Sequence, residues 1–251
     1  MTYKLSDDVR KQLPTLKEMA YDVEKTKRSF RRHKAKVTID NLKKNNFNAY
    51  YADTVKEARD LLLSLIPKDA TVGCGDSHTL FALEMDEPLK AMGCTVIPHT
   101  CALNRQAQKD TTGAYNKIGS KEDMKKILMN YLVSDVFLLG ANAITVDGQI
   151  VNVDGTGNRT AGGIYGPDRI IVVAGTNKIV KDVDAARERV GFVAAPTNNL
   201  KYDNDQMPCV KAGKCMNCRN NKRICNVTTI IHKMPYKGDF HVILIGEDLG
   251  Y

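Results

Sequence analysis

Two short apolar runs fix most of what this chain can fold into: VFLL at 136–139 and IIVVA at 170–174, each followed by glycine and polar residues. Runs that are apolar at consecutive positions read as strands buried on both faces, as a parallel sheet covered by helices requires. In open sheets of that kind, ligands bind beyond the carboxyl ends of the strands. The first run delivers Gly140, Ala141 and Asn142 to such an end. Asp147-Gly148 follows, between ITV at 144–146 and QIV at 149–151, and has the pattern of a tight hairpin whose turn needs positive φ.

The rest of the pattern alternates in the same way. Strands are expected at 48–52, 70–73, 95–98 and 241–246. Helices are expected at 15–36 behind Pro14, at 54–65 with Thr54 and Glu57 as a capping box, at 80–92 broken near Pro88, at 120–132 opened by Ser120 and Asp123, and at 182–190. The fold class is therefore α/β, a mainly parallel sheet flanked by helices. A basic helical segment, residues 1–40, precedes a main domain at 41–251, with a Cys-rich loop at 208–226 inserted before the last strand.

The 251 residues, 43% hydrophobic and 26% charged, suffice for a substantial core. No apolar run approaches the ~18 to 20 residues of a membrane span, and residues 1–10 are polar, so a cytoplasmic protein is expected. The net charge of +8 is uneven: residues 1–44 hold 13 Lys/Arg against 6 Asp/Glu, and 201–237 hold 8 against 2. Arg28, Arg31, Arg32, His33, Lys34 and Lys36 read as a solvated helix face in preference to a surface for nucleic acid or an acidic partner, and no nucleic-acid motif accompanies them.

Three constellations carry chemistry. In the first, Gly73 to Thr79 form a glycine-rich strand-to-helix turn in which Gly75, Ser77, Thr79 and free amides offer donors to a phosphate or carboxylate. Packing alone explains such a turn equally well. His78 within it is either a general acid or base, or a helix-cap or surface histidine. In the second, Asp154, Gly155, Thr156, Gly157, Asn158 and Arg159 suit an anionic or polyhydroxy ligand, against the alternative of plain turn residues. Lys178 adds positive charge at the next strand end, or is a surface lysine.

The third constellation is Cys209, Cys215, Cys218 and Cys225, spaced C-x5-C-x2-C-x6-C. Thiols this dense in a cytosolic chain favour a metal, zinc or an iron–sulfur cluster, over disulfides. Lys211, Lys214, Arg219, Lys222 and Arg223 would offset its negative charge. Structural thiols and redox cysteines are the alternatives. Cys74, Cys94 and Cys101 read as small buried hydrophobes.

GCGDSHTL, GANAITVDGQIVNVDGTGNR and GPDRIIVVAGTNKIV together resemble the LUD (lactate utilisation) domain family, from about residue 41 to 251. The resemblance implies the fold of the NagB/RpiA/CoA-transferase-like superfamily. It also implies a role in organic-acid metabolism linked to oxidation of lactate or a related hydroxy acid, iron–sulfur electron-transfer partners, and a homo-oligomer. The Cys-rich end is similar to one branch of short LUD proteins and is absent from lactate utilisation protein C.

Ribose-5-phosphate isomerase and methylthioribose-1-phosphate isomerase, in that superfamily, carry Gly-Ala-Asp where this chain has Gly140-Ala141-Asn142. Their chemistry needs a carboxylate to move a proton, which an amide cannot do. Asp147 and Asp154 are the substitute catalytic candidates, along with His78. Asp76, intruding into a loop that resembles the isomerase phosphate loop, would repel phosphate. The expected ligand is thus a small organic acid held by Arg159, a hydroxylated compound, or a phosphorylated one. The expected contacts are Gly75, Asp76, Ser77, Thr79, Asn142, Asp154, Gly155, Gly157, Asn158, Arg159 and Lys178. An isomerase or CoA-transferase and a non-catalytic sensing or assembly protein are the alternative functions.

Overall fold

A computed structural model describes residues 6–12, 22–97, 125–126, 128–201 and 203–251. The strands among these are β1 (Asn48–Ala52), β2 (Thr71–Cys74), β3 (Thr95–Ile97), β4 (Val136–Gly140), β5 (Ala143–Thr145), β6 (Ile150–Asp154), β7 (Arg169–Gly175), β8 (Ile179–Val180), β9 (Val227–Ile231) and β10 (Asp239–Ile245). The helices are α1 (Asp7–Gln12), α2 (Val23–Lys44), α3 (Val55–Ser64), α4 (His78–Ala82), α5 (Asp86–Ala91), α6 (Asn158–Gly162), α7 (Val183–Arg189), α8 (Ala195–Lys201) and α9 (Pro208–Ala212).

Six strands form a sheet in the order β1-β10-β7-β4-β2-β3, paired in parallel throughout. The continuous apolar runs sit at its centre and divide their side chains between two cores, as period-2 alternation demands. Phe137, Leu139, Val172, Phe240, Val242 and Leu244 face Ala35, Ile39 and Leu42 of α2. Val136, Leu138, Ile171, Val173, Ile243 and Ile245 face Ala58 and Leu62 of α3, with Leu80, Leu83 and Leu89 around α4 and α5. A second sheet, β8-β5-β6-β9, lies on the α2 side, where Ile144, Ile150 and Ile179 join the first core.

Helix α2 is longer at its C-terminal end than its charge pattern implied. Asp22 caps it by accepting from the Lys25 N–H at 2.9 Å. Ala35, Thr38, Ile39 and Leu42 make the single buried stripe that carries it past residue 36 to Lys44. The expected start behind Pro14 lies outside the described residues. Two arginines of the basic face are paired within the chain, Arg31 with Asp248 at 3.0 Å and Arg32 with Asp53.

Other expectations shift by small, physical amounts. Thr54 accepts from the Glu57 N–H at 3.2 Å, while the Glu57 carboxylate reaches back to the Asp53 N–H at 2.9 Å, one residue earlier than a regular capping box. The helix expected at 80–92 breaks at Glu84, which takes a left-handed φ of 47°, and not near Pro88. Pro88 lies in the first turn of α5, where a missing N–H loses no helical bond. The Cys-rich loop is followed by β9 of the second sheet before β10 is reached. Residues 98–124, which include Cys101, Ser120 and Asp123, lie outside the described residues. Cys94 is buried with its Sγ donating to the Pro67 carbonyl, and Cys74 packs at the margin of the second core, where burial pushes its thiol up to about 12.

The β5–β6 hairpin forms at Asp147-Gly148, with Gly148 at φ +80°. A Cβ on Gly148 would meet the Leu42 backbone nitrogen at 2.7 Å, so glycine also permits the close approach of this turn to α2. Asn45 Nδ2 secures the contact by donating to the carbonyls of Asp147 and Gly148.

Candidate functional site

Because the large sheet is parallel, the carboxyl ends of β2, β4 and β7 open on the same side, and their loops enclose a cavity of about 450 Å³. The β2 loop folds over the end of β4, with the Gly75 N–H donating to the Leu138 carbonyl at 2.7 Å. Gly140 makes this possible, since a Cβ there would overlap the Ser77 hydroxyl. Asp76, Ser77, His78, Gly140, Ala141 and Asn142 line this part of the cavity. The His78 ring packs against Tyr251, whose centroid is 5.0 Å away, and meets Phe81 edge-on.

The β6–α6 loop forms the opposite wall. Asp154 Oδ1 accepts from the N–H groups of Thr156 at 2.9 Å and Gly157 at 3.0 Å, and Oδ2 accepts from Thr160 N–H at 3.3 Å. Arg159 Nε lies 3.7 Å from the same carboxylate. Burial alone would raise the Asp154 pKa, but the Gly157 amide, the Arg159 guanidinium and the other amides outweigh it, so the carboxyl stays below its ordinary value. This pattern is a loop clamp that holds Gly157, at φ +96°, in place at the start of α6.

Arg159 ties the walls together. Its Nη2 donates to the Val153 carbonyl at 2.5 Å and to Asn142 Oδ1 at 3.4 Å, and Nη1 reaches the Asp76 carbonyl at 3.4 Å. Asn142 Oδ1 also accepts from the Val153 N–H at 2.8 Å. Gly75 lets the Arg159 stem lie across the first loop, because a Cβ there would come within 3.0 Å of it.

Lys178 follows β7 and lines the cavity, yet it is only 4% exposed. Its Nζ donates to Thr79 Oγ1 at 3.0 Å, and Thr79 Oγ1 lies 3.4 Å from the Leu249 carbonyl it donates to. It makes no ion pair among the described residues. The cavity carboxylates have other duties: Asp154 holds its own loop, and Asp76 pairs with Lys201 in a nearly buried bridge. Desolvation, reinforced by the positive charges of Arg189 and Arg159, drops the Lys178 pKa to about 7.

Arg189 and Lys201 reach the site from α7 and α8, and sequence reasoning missed both. Arg189 Nη1 donates to the Asn142 carbonyl at 2.7 Å and Nε to the Asn177 carbonyl at 3.3 Å. Between the two helices the backbone widens into a π-helical turn, Val190–Ala194, whose end residues line the cavity. Pro196 supplies the local cause: it has no N–H and its ring crowds the carbonyl four residues back, which the wider turn relieves. Pro196, six residues past the helix expected at 182–190, was the available signal.

The model of the LUD domain family matches residues 35–245, through both walls of this cavity. The chain belongs to the LUD domain family. At family level this places it in organic-acid metabolism of the lactate-utilisation type. Similar solved structures include a DUF162 family protein from Deinococcus radiodurans, 13% identical with a TM-score of 0.42, covering 87% of this chain and 98% of that one. Ribose 5-phosphate isomerase A from Neisseria gonorrhoeae is 14% identical with a TM-score of 0.31, over 51% of this chain and 54% of that one. The delta subunit of eIF2B from Chaetomium thermophilum is 15% identical with a TM-score of 0.30, over 49% and 47%. No curated protein matches the sequence.

Of the expected contacts, this LUD domain brings Asp76, Ser77, Asn142, Asp154, Gly155, Asn158, Arg159 and Lys178 to the cavity wall. Thr79 stands behind Lys178, Gly75 beneath Arg159, and Gly157 at the cap of α6. Asp147 is not brought there. It is exposed at the hairpin turn on α2.

The Cys-rich loop of the LUD domain borders the same cavity through Ile224 and Cys225. Asn226 anchors it, donating from its backbone to the Asp154 carbonyl at 2.9 Å and from Nδ2 to the Gly155 carbonyl at 3.0 Å. Arg223 braces the turn on the carbonyls of Cys218 and Cys225. Cys209 is buried, Cys215 is exposed near Gly191, and Cys218 and Cys225 are half-buried. Burial, with the nearby thiols of Cys218 and Cys225, pushes the Cys209 thiol up. Among the described residues no three His, Cys, Asp or Glu side chains are gathered as a metal-ligand set. No helix among them is long and apolar enough to cross a membrane.

Proposed function

We propose that the cavity binds a small organic acid, a hydroxy acid of the lactate kind or its oxo counterpart, and serves hydroxy-acid oxidation beside iron–sulfur electron-transfer partners. One observation carries this: Arg159 and Lys178 line the cavity while both of its acidic side chains are held by groups of the protein itself. Such a wall attracts an anion. Arg159 takes the carboxylate, and Asn142 Nδ2 with the Ser77 hydroxyl takes the neighbouring oxygen. A sugar-phosphate isomerase is less well supported, because its carboxylate base would have to be Asp154, whose oxygens already accept three amide hydrogens, Asp76, which is paired with Lys201, or Asp147, which lies outside the cavity. Thermal denaturation tests the choice. Lactate, glycolate or pyruvate should raise the melting temperature, and ribose 5-phosphate should not; the reverse pattern would favour the isomerase.

We further propose that Cys209, Cys215, Cys218 and Cys225 hold zinc or an iron–sulfur cluster that draws the loop inward as it binds. The donor chemistry fits, and Cys209 is near enough to Cys218 and Cys225 for their charge to add to the burial that raises its pKa. Among the described residues the thiols are not gathered into a ligand set, so binding would be coupled to loop ordering.

A further inference from the structure

Among the cavity groups, Lys178 carries chemistry beyond the positive charge it lends the wall. A lysine buried for structural reasons is ordinarily paired with a carboxylate. Lys178 is 4% exposed, lines the cavity, and has a hydroxyl, Thr79 Oγ1, as its hydrogen-bond partner. The C-terminal segment closes over it, since a Cβ on Gly250 would come within 3.3 Å of Nζ. Two guanidiniums, Arg189 and Arg159, add like charge nearby. Desolvation beside another cation is how an amine is kept free and nucleophilic at neutral pH. An ordinary lysine at pH 7 is free in roughly one molecule in a few thousand.

We propose that Lys178 Nζ captures the carbonyl carbon of a small 2-oxo acid as an imine inside the cavity. This rests on the organic-acid reading above, with Arg159 holding the carboxylate and presenting the adjacent carbonyl. The amine lone pair forms the C–N bond, both amine hydrogens leave with the carbonyl oxygen as water, and no oxidant or reductant takes part. Thr79 is a positioning residue: it accepts from Nζ at 3.0 Å and thereby orients the nitrogen.

The test is borohydride trapping of the intact protein with pyruvate, followed by peptide mass mapping. A reduced adduct at Lys178 is expected, lost in Lys178→Arg, retained in Lys181→Arg, and suppressed by excess lactate. Lys181, 88% exposed, controls for surface chemistry. The wild type supplies a readout independent of any variant's folding: the trapping rate should rise through pH 7 and level off well before pH 10.5. An adduct spread over surface lysines, or a rate that climbs only towards pH 10.5, would overturn the proposal. If lactate stabilises the protein but pyruvate is never trapped, the imine fails and the organic-acid reading stands. If neither stabilisation nor trapping occurs, both fail.

Discussion

Lys178 Nζ donates to Thr79 Oγ1 across 3.0 Å, joining the loop after β7 to the helix after β2. These strands flank β4 in the sheet, so the contact spans the strand end that carries Gly140, Ala141 and Asn142. An amine is thereby fixed in the cavity wall, and among the described residues no carboxylate pairs with it. The consequences are measurable.

The first is a pH dependence of stability. The folded pKa of Lys178 is about 7 against 10.5 for the free side chain, so between those values the unfolded chain holds a proton that the folded one has released. Wild-type stability from this group therefore rises with pH across that window, by up to about 5 kcal/mol. Lys178→Met lacks the effect. Urea denaturation should show the variant ahead of wild type at pH 6 to 7, with the gap closing towards pH 10.

Asp154 should behave as a structural clamp. Asp154→Asn swaps an acceptor oxygen for a donor against backbone N–H groups and is expected to lose about 1–3 kcal/mol in urea denaturation. The depressed pKa gives the sign with acid: the carboxylate's stabilisation is present above its ordinary pKa near 3.8 and is lost as the pH falls through the folded value. A catalytic carboxylate without this clamp would leave stability unchanged on substitution.

Gly140→Ala should destabilise by about 1–3 kcal/mol through overpacking on Ser77. Adding Ser77→Gly should recover part of the loss, measured as a coupling energy in a double-mutant cycle.

The Cys-rich loop gives the fourth prediction. Protein purified without oxygen should carry stoichiometric zinc or show cluster absorbance, and Cys215→Ser with Cys218→Ser should lose it. Wild-type protein free of both would remove the metal proposal.

The central architecture was legible because β4, β7 and β10 are apolar at consecutive positions, and only a sheet covered on both faces explains that. The hairpin was legible for the same local reason, since Asp147-Gly148 leaves few backbone choices. What the sequence concealed depends on tertiary context. Asp147 and Asp154 look alike along the chain, yet one braces a turn on α2 and the other holds the cavity loop. The burial of Lys178 comes from the C-terminal segment closing over it, which no local pattern around residue 178 records. Arg189 and Lys201 depend on a π turn that propensity does not foresee.

The most direct measurement is a calorimetric titration of lactate into wild type and Arg159→Gln at pH 7. Saturable binding at one site per chain in the wild type, lost in the variant while its far-ultraviolet circular dichroism is unchanged, is the predicted result. Equal binding by both proteins, or no binding of lactate, glycolate or pyruvate by the wild type, would contradict an organic-acid site held by Arg159.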